Sequence, residues 1–428
     1  MKLSSLALLV GFCAFFAGGQ TFAAKTPADS SLFEKFVDPQ TKVVSWLLRK
    51  DAAGFNQQQL YFLTKSMTDD GRFLVVTYAD DEATGLVKDE GQKMFAVIDF
   101  ERDAVLKLPS VGRFSIPFLD VKTDRLYCAD RTDETMVMFD LKGLSPTNKI
   151  HLCKMPQEIL ALGPVKRWYT HLTLTADRTR AFLDISVGAK RWIQGLLRFS
   201  DGSFEKWGET DFPCGHAQIN PVDDRVAYGG RSVPGKHRVP DPKRPGQTKL
   251  VPIPKDWPYP CMWLLRPGEK AKMIPSKEIN HSTHQNWFED GKGWYWCSHE
   301  AHKEADKGVV FTRWGVYAYD LATGVETKVS SVPAMHAAIS ADRSAMTFDW
   351  VKPALQVGYQ NLKTGRMTYV FSQMPDYFLK RAKCHLHADP HPQFVCRDRW
   401  IASTLIVDDG RRLTVAMTPV AQLEKMTK

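Results

Sequence analysis

Seven times along the chain an aspartate falls in a short polar turn between two apolar runs, at Asp70, Asp124, Asp177, Asp224, Asp290, Asp342 and Asp398. Successive spacings are 54, 53, 47, 66, 52 and 56 residues. Self-similarity at such a period restricts a fold more than any local propensity does. The copies Thr68-Asp-Asp70-Gly-Arg-Phe-Leu-Val-Val, Thr175-Ala-Asp177-Arg-Thr-Arg-Ala-Phe-Leu and Ser340-Ala-Asp342-Arg-Ser-Ala-Met-Thr-Phe show the unit most plainly. Asp and Gly at the turn suit a tight hairpin, and the flanking runs suit strands. A second hairpin follows each turn, as in Val316-Tyr-Ala-Tyr-Asp-Leu-Ala-Thr-Gly324-Val-Glu-Thr and Val357-Gly-Tyr-Gln-Asn-Leu-Lys-Thr-Gly365-Arg-Met-Thr. Each repeat therefore holds four strands. Four-stranded units repeated radially make a β-propeller, which leaves only short, protected edges. The expected fold is all-β, a seven-bladed β-propeller, with Lys42–Arg49 supplying a strand that closes the ring on the last blade. The competing arrangement, a two-domain β protein, leaves the spacing to coincidence.

The long interval of 66 residues implies an insertion, at 230–261, rich in Pro and basic residues. Such a segment is extended rather than helical and is either a cationic flap over a binding face or a surface excursion. At the N-terminus Lys2, the apolar run Leu3–Ala17 and the small residues before Lys25 read as a secretory signal over 1–23. An uncleaved anchor is the competing reading, but the run is short for a membrane span. The mature chain is then one propeller domain, 24–428, secreted or periplasmic, with no membrane association after cleavage. The formal charge of +9 is dispersed and accompanies no nucleic-acid motif, which directs attention to an acidic glycan. Eight cysteines, none in CxxC spacing, give neither a zinc-ribbon pattern nor a disulfide framework.

Five of the twelve histidines share one phase of the repeat. His171, His216, His284, His336 and His391 precede their turn aspartates by 6, 8, 6, 6 and 7 residues. A single histidine of this kind is ordinarily a packed core residue, but five in register predict imidazoles converging on one mouth of the central channel. The last of them ends the series His385, His387, Asp389, His391, whose alternate spacing puts four potential ligands on one face of an extended strand. His336 with His387, Asp389 and His391 is the predicted metal set, suited to manganese, iron or zinc. His284 is left as a proton acceptor.

The motifs Gly215-His-Ala-Gln-Ile-Asn-Pro, His284-Gln-Asn-Trp-Phe-Glu-Asp-Gly, Met335-His336 and Asp389-Pro-His391-Pro-Gln-Phe resemble those of the oligogalacturonate lyases, a family of seven-bladed propellers acting on pectin fragments. The resemblance implies β-elimination at a uronate with Mn2+ as cofactor, His284 as general base, and His336 and His391 as metal ligands. Two positions depart from the family pattern. Its Gln-x-x-His-Pro-His-Pro motif is here Leu386, Asp389 and His391, with His387 standing in for the glutamine and Asp389 for a histidine. The family's arginine before Met-Trp is Cys261, so the substrate-neutralising arginine is either absent or supplied from elsewhere, with Arg238 and Arg266 the candidates.

The combined expectation is a metal-dependent lyase taking an acidic oligosaccharide, with His284 and His216 catalytic and His171, Arg238, Arg266 and Trp287 contacting substrate. A non-catalytic glycan- or protein-binding propeller that has lost the lyase arginine is the alternative. A metal enzyme of different chemistry on the same scaffold is the third.

Overall fold

The computed structural model describes residues 25–79, 94–111, 116–188, 191–210, 215–230, 236–240, 248–252, 261–275, 282–304, 308–350, 355–375 and 389–428. Its strands form seven antiparallel sheets arranged as the blades of a propeller, as the repeat predicts. The innermost strands are Asn56–Gln59, Phe118–Asp120, Thr173–Leu174, Gly215–Ile219, Ser282–Trp287, His336–Ile339 and Gln393–Val395, in blades 1 to 7. Three further strands follow each of the first six outward. In blade 7 the fourth strand is Val44–Leu48, whose Trp46 and Leu47 pair with Met417 and Ala416, and Phe33–Val37 adds a fifth. The ring is thus closed by the N-terminal segment, as expected. The signal segment lies outside the described residues.

Both faces of each blade are covered, so strands such as Phe73–Ala79 are buried at every residue. The described core divides into seven clusters, one per junction. Phe73 and Val97 meet Leu126 and Phe139 between blades 1 and 2; Tyr228 and Met262 meet Trp287 and Trp294 between blades 4 and 5; Leu74 and Ile98 meet Ala402 and Val415 where blade 7 returns to blade 1. Apolar burial, at about 25 cal/mol per Å², therefore holds neighbouring blades together rather than one central core, and the axis is left for polar groups.

The turn aspartates do two jobs. Within a blade, Asp70, Asp177 and Asp342 each accept the backbone N–H two residues on, at 3.0 Å. Between blades, Asp224 accepts the Ala176 N–H and Asp398 the Ala341 N–H, both at 2.6 Å. Arg343 reaches the turn carboxylate of Asp290 at 2.7 Å, and Arg178 reaches Asp120, the last residue of the innermost strand of blade 2, at 3.0 Å. One end of the channel is stapled in this way, and the histidines occupy the other. Within the insertion, Lys236–Pro240 pairs with Thr248–Pro252 as a separate two-stranded hairpin. Two short helices, Gln157–Leu160 and Val420–Met426, complete the described secondary structure.

Candidate metal centre

Where the innermost strands begin, the five phased histidines meet. Ring centroids lie 4.7 Å apart for His171 and His216, 5.8 Å for His216 and His284, 4.0 Å for His284 and His336, and 4.2 Å for His336 and His391. Tyr61 completes the circuit, 4.6 Å from His391 and 4.8 Å from His171. Phe62 packs inside it, 5.1 Å from His336 and 5.6 Å from His284.

Local backbone irregularity aims these side chains. The pairing of Gly215–Gln218 with Gly230–Tyr228 holds one extra residue on the inner strand, and so does that of Thr283–Asn286 with Cys297–Tyr295. His216 and His284 sit in these two bulges, at φ 56° and 55°. Bulges commonly re-aim a side chain next to a site, and a left-handed non-glycine residue costs on the order of 1–3 kcal/mol that its surroundings must supply. His391 is also left-handed, at φ 47°. The segment Asp389–His391 is accordingly a kinked approach to the strand Gln393–Val395, not the extended strand the alternate spacing predicts. A kink brings Asp389 and His391 to the same place by a different route.

His336, Asp389 and His391 each present a ligand atom within 4.8 Å of the others. Of the predicted set, His387 lies outside the described residues. Asp349 organises the trio: it is fully buried, its carboxylate takes the His336 Nδ1–H at 2.9 Å, and it accepts the backbone N–H of His336 at 2.9 Å and of His391 at 3.1 Å. A carboxylate on Nδ1 fixes the tautomer that turns Nε2 outward as a ligand. Two imidazoles and one carboxylate are a donor set for a divalent first-row ion, and the residues present fit one.

His284 is held differently. Its Nδ1 hydrogen-bonds the Met335 carbonyl, which only accepts, so Nδ1 carries the proton and the lone pair is on Nε2. His216 is pushed down to about 4 by burial, with the nearby His336 and Arg167 acting in the same direction against a hydrogen bond that the ring donates to Gln285; it is neutral at physiological pH. Beside it Asp184, seven residues after Asp177 as Asp349 is after Asp342, accepts the Thr170 N–H at 2.5 Å and the Thr170 hydroxyl. Burial pushes Asp184 up to about 7, against those hydrogen bonds. Thr170 in turn accepts the backbone N–H of His216 at 2.7 Å.

The ring thus joins His171, His216, His284, His336, Asp389 and His391. Trp287 is buried in the junction of blades 4 and 5 and donates Nε1–H to the Gln218 carbonyl at 3.1 Å; it packs rather than faces the mouth. Arg266 follows Leu265, which pairs with Ala227 near the turn, whereas Met262 pairs with Gly230 at the histidine end. Arg266 is therefore exposed at the far end of its strand, with Asp223 and Arg225, away from the imidazoles. Arg238 stands in the separate hairpin, opposite Leu250. Cys261, at the position of the family arginine, begins its strand at the histidine end. The charge that reaches both His216 and Asp184 is that of Arg167 on blade 3.

Sequence reasoning missed Tyr61, Phe62, Asp349 and Arg167. The signals existed: Phe62 precedes Asp70 by 8 residues, the offset of His216 from Asp224, and Asp349 repeats the offset of Asp184.

No family model matches the chain, and no curated protein matches it in sequence. Its fold is similar to that of an oligogalacturonate lyase solved in complex with manganese, with TM-score 0.68 over 90% of this chain and 96% of the other at 16% identity. An oligogalacturonate lyase from Vibrio parahaemolyticus gives TM-score 0.67 over 91% and 96% at 15% identity. A puromycin hydrolase mutant gives 0.51 over 86% of this chain and 52% of its own at 11% identity. At these identities the likeness is one of fold.

Proposed function

We propose that the chain is a metal-dependent lyase that cleaves uronate-containing oligosaccharides, pectin fragments among them, by β-elimination. The observation that carries this reading is the position of His284: its Nδ1 is held by Met335, which leaves the lone pair on Nε2, and its ring centroid lies 4.0 Å from that of His336 in the trio. His336, Asp389 and His391 would hold the ion, Mn2+ in this proposal, which supplies Lewis-acid stabilisation of charge on the substrate carboxylate. His284 takes the weakly acidic proton next to that carboxylate, as a neutral imidazole suits. Departure of the oxygen one carbon away then leaves an unsaturated sugar. His216 remains neutral and lines the mouth beside His284. Arg167 takes the part of the family arginine and attracts the acidic sugar. A cleaved signal over 1–23 would put this activity outside the cytoplasm, where polymer fragments arrive. Incubation with galacturonate oligomers and Mn2+, with and without chelator, tests the proposal: unsaturated product that the chelator abolishes supports it.

The second reading, a non-catalytic glycan-binding propeller, is favoured by the uncharged Cys261 at the position where the family has its arginine. Oligomer binding with no unsaturated product on any uronate would select it.

A further inference from the structure

Blade 1 begins with four consecutive amides, Asn56-Gln-Gln-Gln59, all buried. Such a strand is a poor way to build an apolar junction, so each amide should have a partner that requires it. Asn56 accepts the Leu413 N–H at 2.9 Å, and Gln57 donates to the Arg49 and Gly54 carbonyls at 2.8 and 2.9 Å. These tie blade 1 to the closing blade and to its own approach. Gln59 does something else. Its Nε2 donates to the carbonyls of Pro390 and His391, at 2.6 and 2.9 Å, while its Oε1 accepts the hydroxyl of Thr404.

Those two carbonyls flank the kink. His391 is left-handed, and the Pro390 carbonyl before it also takes the backbone N–H of Thr404 on the neighbouring strand, at 2.9 Å. One amide nitrogen with two protons, bonded to two successive carbonyls, fixes the orientation of the peptide between them and hence the direction of the His391 side chain. A second amide repeats the join a turn later: Gln393 Nε2 donates to the Leu60 carbonyl at 3.0 Å and its Oε1 accepts the Ser66 N–H at 2.7 Å. Residues 60–65, carrying Tyr61 and Phe62, leave the blade between these two clamps. The seam where the ring closes and the segment bearing two of the three ligand residues are therefore one hydrogen-bonded unit.

We propose that Gln59 is a positioning residue of the metal centre, and that metal binding in return tightens the seam between blades 1 and 7. This rests on the metal reading of the trio and not on the identity of the substrate. Coupling of this kind is reciprocal: what Gln59 adds to metal affinity, the ion adds to the order of the seam.

The test is a calorimetric titration of Mn2+ into the full chain. Gln59→Glu keeps the shape and the acceptor for Thr404 but loses both donors; Gln59→Leu loses all three bonds. Both are expected to bind Mn2+ about 10–100-fold more weakly, the usual effect of removing a partner that orients a ligand. Asn56→Leu removes a seam bond that does not reach the ligand segment and is expected to lower Tm while weakening Mn2+ binding far less than the Gln59 variants do. Equal affinity in the Gln59 variants, or equal weakening by Asn56→Leu, overturns the proposal. Should the Gln59 variants fail to fold, hydrogen exchange of the wild-type chain decides. Mn2+ is expected to slow exchange in 56–66 together with 389–404, and unchanged exchange in 56–66 overturns the coupling. A wild-type chain that takes up no Mn2+ overturns the metal reading itself, an outcome visible before any variant is made.

Discussion

Asp349 lies across the first strand pair of blade 6 from His336, and its carboxylate is 2.9 Å from the His336 Nδ1. The same group accepts the backbone N–H of His391 from the next blade, at 3.1 Å. One buried carboxylate therefore orients two ligand residues from separate sheets. Asp349→Asn keeps the volume but removes the charge and turns an N–H toward a donor. Metal affinity is expected to fall about 10–100-fold, read by Mn2+ titration; an unchanged affinity would show that Asp349 is only a packing residue.

Arg167 is expected to serve substrate rather than fold. Arg167→Gln should raise KM for an acidic oligosaccharide by about tenfold or more, the scale of one charge-assisted hydrogen bond, with a smaller change in kcat. Steady-state kinetics on oligomers of equal length checks this, and a fall in kcat at constant KM would count against it.

Asp184 and His216 make opposed contributions to pH dependence. His216 titrates near 4 in the folded chain and about 6.5 in the unfolded one. Between those values the unfolded state binds the extra proton, and stability is lost as pH falls. Asp184 titrates near 7 when folded and about 3.9 when unfolded. There the folded state binds the extra proton, and stability is gained as pH falls. Across the overlap the two slopes, each about 1.4 kcal/mol per pH unit, cancel. Asp184→Asn removes one of them, so the variant should lose stability steadily from pH 6 to 5 where the wild type shows little slope from this pair. Urea unfolding at a series of pH values reads the difference; parallel profiles would refute it.

Phe62 is 3% exposed among the imidazoles. Phe62→Ala should cost about 3–5 kcal/mol if the site does not collapse, measured by denaturant unfolding. A cost near zero would mean that the ring holds its shape without the aromatic filler.

The fold was readable because a turn aspartate recurs at blade period, and the histidines were readable because they share its phase. What escaped has physical reasons. Phe62 shares the offset of His216, but Tyr61 and Phe62 leave the innermost strand of blade 1 between Gln59 and Ser66, and aromatics in an apolar stretch read as core. Asp349 is the one charged residue of a mostly apolar strand, legible only through its offset from Asp342, which Asp184 repeats. Arg266 is a candidate in sequence for the cation missing at Cys261, but a strand carries successive residues away at about 3.3 Å each, and it ends at the opposite mouth. The alternation of 385, 387, 389 and 391 pointed to a strand; the left-handed His391 replaces it with a kink over the described part. The family resemblance carried the reading of His284, His336 and His391, and the structure brings those three side by side.

The most direct test is the rate at which unsaturated uronate forms from galacturonate oligomers with Mn2+, followed by its ultraviolet absorbance in wild type and in His284→Ala. Wild type is expected to form product that a chelator abolishes. His284→Ala should bind Mn2+ normally yet be slowed by about 10²–10⁴-fold, the usual contribution of a general base. Wild-type protein that yields no product on any uronate oligomer, or His284→Ala that works at the wild-type rate, would contradict the account.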